Sequence, residues 1–274
     1  MTEATRERFR AIVRGPDVDA DLELACLLIA ADFMPEFDEA AIERWLGVLD
    51  ALARTVPAEG DPVSRLRSAL GHFHGDAGVY DDLRASLLPE VLLRRRGLPI
   101  LLSIVWVAVA RRAGLPAWGL GLPGHYVVGV GDPAGAYELI DPFSGGAPVR
   151  HPQRLPESGP GPVQPWGAVA TLARVLANIR RWADRPDRVR AHLRAVELAM
   201  LLPNQQEALR RERGRLLIRC GDFLGGAQEL EAYARALGRS SGTSQASGVP
   251  AEASRATAVD DALREARIAR AGMN

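Results

Sequence analysis

Along the first 80 residues, apolar positions recur at three-to-four spacing through RERFRAIV, LELACLLIAADF, DEAAIERWLGVLDALARTV and VSRLRSAL. That period predicts a layer of amphipathic helices over 1–80. Asp38 suits an N-cap ahead of AAIERW, and Pro35 closes the helix before it. After residue 98 the pattern changes. ILLSIVWVAVA is apolar on every side, so the helix it predicts is buried rather than amphipathic. Pro99 fits a first helical position, where its missing N–H is not needed, and Gly114 with Pro116 supplies the stop. Three short runs rich in β-formers follow: AWGLGL (117–122), HYVVGVG (125–131) and YELID (137–141). One buried helix on antiparallel strands is the economical reading, which makes the fold class α+β.

From 145 to 165 the chain is dense in Pro and Gly, and 151–165 is predicted to be a linker. Helical patterns resume at about 166–183, 187–202, 204–220 and 223–237. Their lengths and small-residue pattern resemble two tetratricopeptide-type hairpins, with Gly214 and Ala227 at close-packing positions. Two repeats are too few to stand alone and must dock on something else. Residues 239–256 are poor in bulky apolar side chains and predict a flexible linker, ahead of a short helix over AVDDALREARIARA. The predicted organisation is a helical region (1–80), a core (81–150), a linker (151–165), a helical-repeat region (166–238), and a linker with a terminal helix (239–274).

Composition narrows the function. Basic and acidic residues balance at 34 each, so no global charge draws the chain to nucleic acid or to a membrane surface. Every basic residue is Arg, which excludes a catalytic lysine or a Schiff base. Cys26 and Cys220 are too few and too far apart for a disulfide framework or a metal site, and Cys26 in ACLLIAA fits a small buried hydrophobe. The charged start MTEATRERFRAIV has no signal-peptide core, and no apolar run reaches the roughly 18 residues needed to span a bilayer. These features predict a cytoplasmic protein.

Two clusters outside the core helix need weighing. His72, His74 and Asp76 form H-x-H-x-D at the end of a predicted helix. Positions i and i+2 diverge on a helix, although on a loop or strand they could face together; a catalytic site needs three well-placed ligands with partners that orient them, and no metal is assigned. Arg94, Arg95 and Arg96 sit just ahead of the buried helix, where guanidinium forks and free N–H groups could hold a carboxylate or phosphate. The bland alternative is pairing with Asp82 and Glu90.

The motifs themselves resemble a known family. A buried helix ending R-x-x-G-L-P-A, a strand carrying a His and a strand ending in D-P resemble the transglutaminase-like, papain-related fold. The finer resemblance is to the SirB-type branch. It is carried by Arg95 to Ser103 (RRGLPILLS), Gly121 to His125 (GLPGH) and Ile140 to Gly146 (IDPFSGG). It extends to LELACLLIAADFMPEFD and to the region from Pro203 to Tyr233. The chain departs from that branch at Ala85, where an Asn is usual, and at Leu101, where a polar residue is usual.

The resemblance implies a Cys at the N-terminus of the buried helix, where the helix dipole favours a thiolate. It also implies a strand His as base and an Asp one strand on to hold the imidazole. His125 and Asp141 fall on the last two positions. Registering Arg111 and Gly114 on the helix end puts the nucleophile position at Pro99, which has none. Two readings stay open. In one, His125 and Asp141 are a structural pair left in a non-peptidase protein, regulatory or adaptor in role, that binds a protein partner through the C-terminal hairpins and needs no cofactor. In the other, Ser103, one turn beyond Pro99, completes a degenerate triad with His125 and Asp141 in a hydrolase or acyltransferase. The expectation leans away from an enzyme.

Overall fold

The computed structural model describes residues 3–16, 18–149, 164–204, 206–240 and 249–272. The predicted linker as far as residue 163, His151 included, lies outside the described residues, as do residues 241–248 of the second linker. Residues up to Trp182 form one compact unit, and those from Ala183 onward form another.

The first unit begins with the predicted helical layer: α1 (Glu3–Arg14), α2 (Leu22–Phe33), α3 (Glu39–Arg54) and α4 (Pro62–Leu70). Asp38 caps α3 by accepting from the Ala41 N–H at 2.8 Å, and Asp61 caps α4 by accepting from the Ser64 N–H at 2.9 Å. Each such cap is worth about 1 kcal/mol. After α5 (Leu88–Arg94), Arg95 takes the left-handed conformation at φ 56° and turns the chain into α6 (Pro99–Arg112). Every residue of α6 except Val107, Arg111 and Arg112 is buried. Burial of a Leu, Ile or Val side chain contributes roughly 1.5–3 kcal/mol, so this helix anchors the unit.

Helix α6 packs on a four-stranded antiparallel sheet in the order β1 (Ala117–Leu122), β2 (His125–Gly131), β3 (Tyr137–Asp141), β4 (Ala147–Pro148). The first three strands have their predicted bounds. Gly124 (φ 72°) makes the tight link from β1 to β2, a left-handed position that glycine adopts without steric cost. β4 lies in the stretch dense in Pro and Gly, where the sequence predicts no strand. Two residues carry no alternation, and Pro148 lacks the N–H that a ladder would use, so the sequence gives no strand signal there.

The C-terminal end of α6 is tied to α2. Glu23, almost fully buried, accepts from the Arg111 Nη2 at 2.5 and 2.7 Å and also pairs with Arg112. Beyond the sheet, the Trp166 N–H donates to the Gly119 carbonyl at 2.9 Å, and α7 (Ala168–Ala183) starts where Asp19 accepts from the Ala168 N–H at 2.6 Å.

The second unit holds α8 (Val189–Ala199), α9 (Gln206–Arg219), α10 (Phe223–Ser240) and α11 (Val249–Ala271), each packed on the next. Gly214 is a close-packing position: a Cβ there would lie 2.9 Å from Leu230 and 3.0 Å from the Gly226 carbonyl. Ala227, the residue after Gly226, is fully buried within the α10–α11 cluster. Two features differ from the sequence reading. Helix α7, grouped there with the repeats, belongs almost entirely to the first unit. The last helix starts at Val249 rather than near 258, because AEASRATA, poor in bulky side chains, is still rich in the best helix former. Among the described residues, no helix is long and apolar enough to cross a membrane.

Candidate functional site

His125 opens β2 and Asp141 ends β3. The β2–β3 register pairs Val128 with Ile140, so one step further Asp141 stands opposite Val127. Side chains two apart on a strand share a face, which puts Asp141 diagonal to His125 on the same side of the sheet. His125 Nε2 lies 3.0 Å from Asp141 Oδ1. Both side chains are about one-fifth exposed, and among the described residues Nδ1 has no hydrogen-bond partner.

The D-P-F-S string holds the carboxylate in place. Asp141 Oδ1 accepts from the Phe143 N–H at 2.9 Å, and Oδ2 accepts from the Ser144 hydroxyl at 2.8 Å. This is an Asx-type turn, the short-range bond that Asp favours ahead of a tight bend. Burial works to raise the Asp141 carboxyl, but the contacts from His125, Ser144 and the Phe143 N–H outweigh it and hold the group below its ordinary value. The carboxylate is therefore ionised and ready to orient the imidazole.

Phe143 forms the wall beside the dyad. Its ring meets His125 edge-on, centroids 6.1 Å apart, and stands 6.4 Å from exposed Tyr80. Gly75 makes room for it, since a Cβ there would fall 1.8 Å from the ring, and the Gly75 N–H donates to the Phe143 carbonyl at 2.9 Å. Sequence reasoning missed Phe143, Ser144 and Gly75. The Ser three positions after the Asp was the available signal for Ser144.

Ser103 is not joined to the pair. It is fully buried, and its hydroxyl donates to the Tyr126 carbonyl at 3.4 Å rather than to an imidazole nitrogen. The cause is strand parity: His125 and Tyr126 are successive residues and project to opposite faces. Ser103 lines a cavity together with the Tyr126 ring, whose hydroxyl lies 2.9 Å from Thr171 Oγ1. Pro99 occupies the first position of α6, as the sequence implied. Cys26 is buried in α2, where burial first and the Glu23 charge second push its thiol far up, away from reactivity.

The arginine run does not converge. Arg94 pairs with Asp82 Oδ2 at 2.7 Å, sharing that carboxylate with Arg84, and Arg96 pairs with Asp76 Oδ2 at 2.9 Å. Arg95 is exposed and its N–H closes α5 on the Val91 carbonyl. Asp76 also caps the turn at Gly78, and His74 Nδ1 sits 3.4 Å from the Gly75 carbonyl. Among the described residues, no group of three or more His, Cys, Asp or Glu side chains is placed to hold a metal ion.

Residues 43–154 match the transglutaminase-like superfamily model, a span that covers the dyad and α6. A UPF0162 protein of Xylella fastidiosa strain Temecula1 is 31% identical over 239 residues, covering 79% of this chain and 84% of that protein. The UPF0162 protein PA3419 of Pseudomonas aeruginosa is 34% identical over 130 residues, 44% of this chain and 46% of that protein. The UPF0162 protein YchA of Escherichia coli K12 is 29% identical over 135 residues, 47% and 49% of the two chains. No solved structure matches.

Proposed function

The chain belongs to the UPF0162 family, and from that premise we propose that it is a non-peptidase transglutaminase-like protein, close to the SirB-type group, with a regulatory or adaptor role. One observation carries the reading: the Ser103 hydroxyl, one turn beyond Pro99, donates to the Tyr126 carbonyl and not to an imidazole nitrogen. Pro99 at the head of α6 and the suppressed thiol of Cys26 support it. In this reading His125 and Asp141 form a hydrogen-bonding anchor beside the Phe143 ring. The helices from Val189 to Ala271, tetratricopeptide-like in pattern, take a protein partner in the cytoplasm.

The His125–Asp141 distance of 3.0 Å favours one second reading. An oriented imidazole could deprotonate a nucleophile brought by the substrate, giving a hydrolase or acyltransferase. Two measurements separate the readings. In the adaptor, a partner captured by the full chain is retained by His125→Ala and lost when residues 183–274 are removed. In the enzyme, an activated ester leaves an acyl adduct, or a fluorophosphonate a phosphonyl adduct, that is lost in Ser103→Ala, or the ester is turned over at a rate that His125→Ala abolishes.

A further inference from the structure

We propose that the cavity beside Tyr126 is a binding site for a small aromatic primary amine, independent of the His125–Asp141 pair. The cavity has a volume of about 490 Å³ and lies within the first unit, between α6, the edge strand β1 and the start of α7. That volume is within the roughly 300–1,000 Å³ usual for small-ligand pockets. Two glycines shape it. A Cβ at Gly119 would lie 2.4 Å from the Tyr126 hydroxyl, and one at Gly121 would lie 2.3 Å from the Trp166 ring. With both positions bare, the two rings settle against β1, edge to face at 5.7 Å. Trp118 borders the cavity from β1 while its ring lies over Gly129 on the other face of the sheet, and Val107, the apolar residue of α6 left partly open, faces the cavity.

Charge selects the ligand. Among the described residues, Asp19 and Arg111 are the charged side chains lining the cavity. Arg111 is spent: it binds both oxygens of Glu23 and donates to the Asp19 and Ala20 carbonyls at 3.0 and 3.2 Å. Asp19 is exposed at the rim, with Oδ1 capping α7 and Oδ2 carrying no hydrogen bond among the described residues. The rim therefore presents one carboxylate oxygen without a hydrogen bond among the described residues, while the partly exposed Arg111 guanidinium is paired with Glu23. An ammonium group there gains a charge-assisted hydrogen bond and the ring of Trp166, while an attached ring fills the apolar interior.

The test uses the full chain with two fluorescent probes of equal shape, 2-naphthylmethylamine and 2-naphthoic acid, titrated by fluorescence and calorimetry. The amine is expected to bind saturably, one per chain, about tenfold more tightly than the acid. Asp19→Asn keeps an acceptor for the Ala168 N–H, so the fold stands, and it should erase that preference. Val107→Trp, which fills the cavity, should abolish binding of both probes. His125→Ala should leave amine binding unchanged, so the proposal survives or fails apart from the function assigned to the dyad. Absence of saturable amine binding, a preference that persists in Asp19→Asn, or wild-type binding in a folded Val107→Trp overturns it.

Discussion

His125 Nε2 and Asp141 Oδ1 stand 3.0 Å apart, brought together by the diagonal of the β2–β3 pair and fixed by the turn that follows Asp141. The pair has a pH signature. The folded carboxyl is held below its ordinary value, so as pH falls the unfolded chain takes up a proton at Asp141 before the folded one does. The stabilisation is fully present above the ordinary Asp value of about 4 and is lost as pH falls through the lower folded value. Asp141→Asn should flatten the acid limb of the stability profile below about pH 4, measured by urea unfolding at stepped pH. An acid limb identical to wild type would show that the carboxylate gains nothing from its partners.

Gly75 and Phe143 are matched in shape. With a Cβ only 1.8 Å from the ring, Gly75→Ala must drive Phe143 away from His125. Overpacking of this kind costs about 1–3 kcal/mol. Most of that cost should disappear in the Gly75→Ala, Phe143→Ala double variant, measured as a double-mutant cycle in chemical denaturation. Additive losses would show that the two sites do not touch.

The two thiols should differ sharply. Cys26 is buried with its thiol pushed up, whereas Cys220 is partly exposed. Native protein at pH 8 should react quickly with one equivalent of an aromatic disulfide reagent, forming a mixed disulfide and releasing one equivalent of the aromatic thiolate. In Cys220→Ser the rapid phase should vanish until denaturant is added. A rapid phase that remains in Cys220→Ser would place Cys26 within reach of solvent and weaken the non-thiol reading.

Glu23 joins α2 to the end of α6 through two arginines. Glu23→Leu would leave Arg111 and Arg112 without their shared carboxylate. Breaking a buried pair from one side costs about 3–5 kcal/mol, and less here because Arg111 is partly exposed and Arg112 keeps Asp50 at 2.8 Å. A loss of about 2 kcal/mol is expected in urea unfolding at neutral pH. A variant as stable as wild type would mean that the arginines are satisfied by their remaining partners.

The helical layer, the buried α6 and the first three strands were legible because each follows from local chemistry: a period of 3.6 or 2, a capping Asp, a Pro at a helix start. The candidate pair was legible through the order of three motifs, and Asp141's own turn was written in D-P-F-S. What only the tertiary structure decided was which of these groups meet. Ser103 shares a helix with Pro99, yet it lines the space beside Tyr126 and not His125, because consecutive residues of a strand take opposite faces. Arg94 and Arg96 are neighbours of a helix start by number, yet each is claimed by a carboxylate 12 or 20 residues away. The cavity walled by Tyr126 and Trp166 depends on missing Cβ atoms at Gly119 and Gly121 meeting rings from elsewhere in the chain. Periodicity and capping act over a few residues and stand in the linear text, whereas facing, pairing and enclosure are set when distant segments pack.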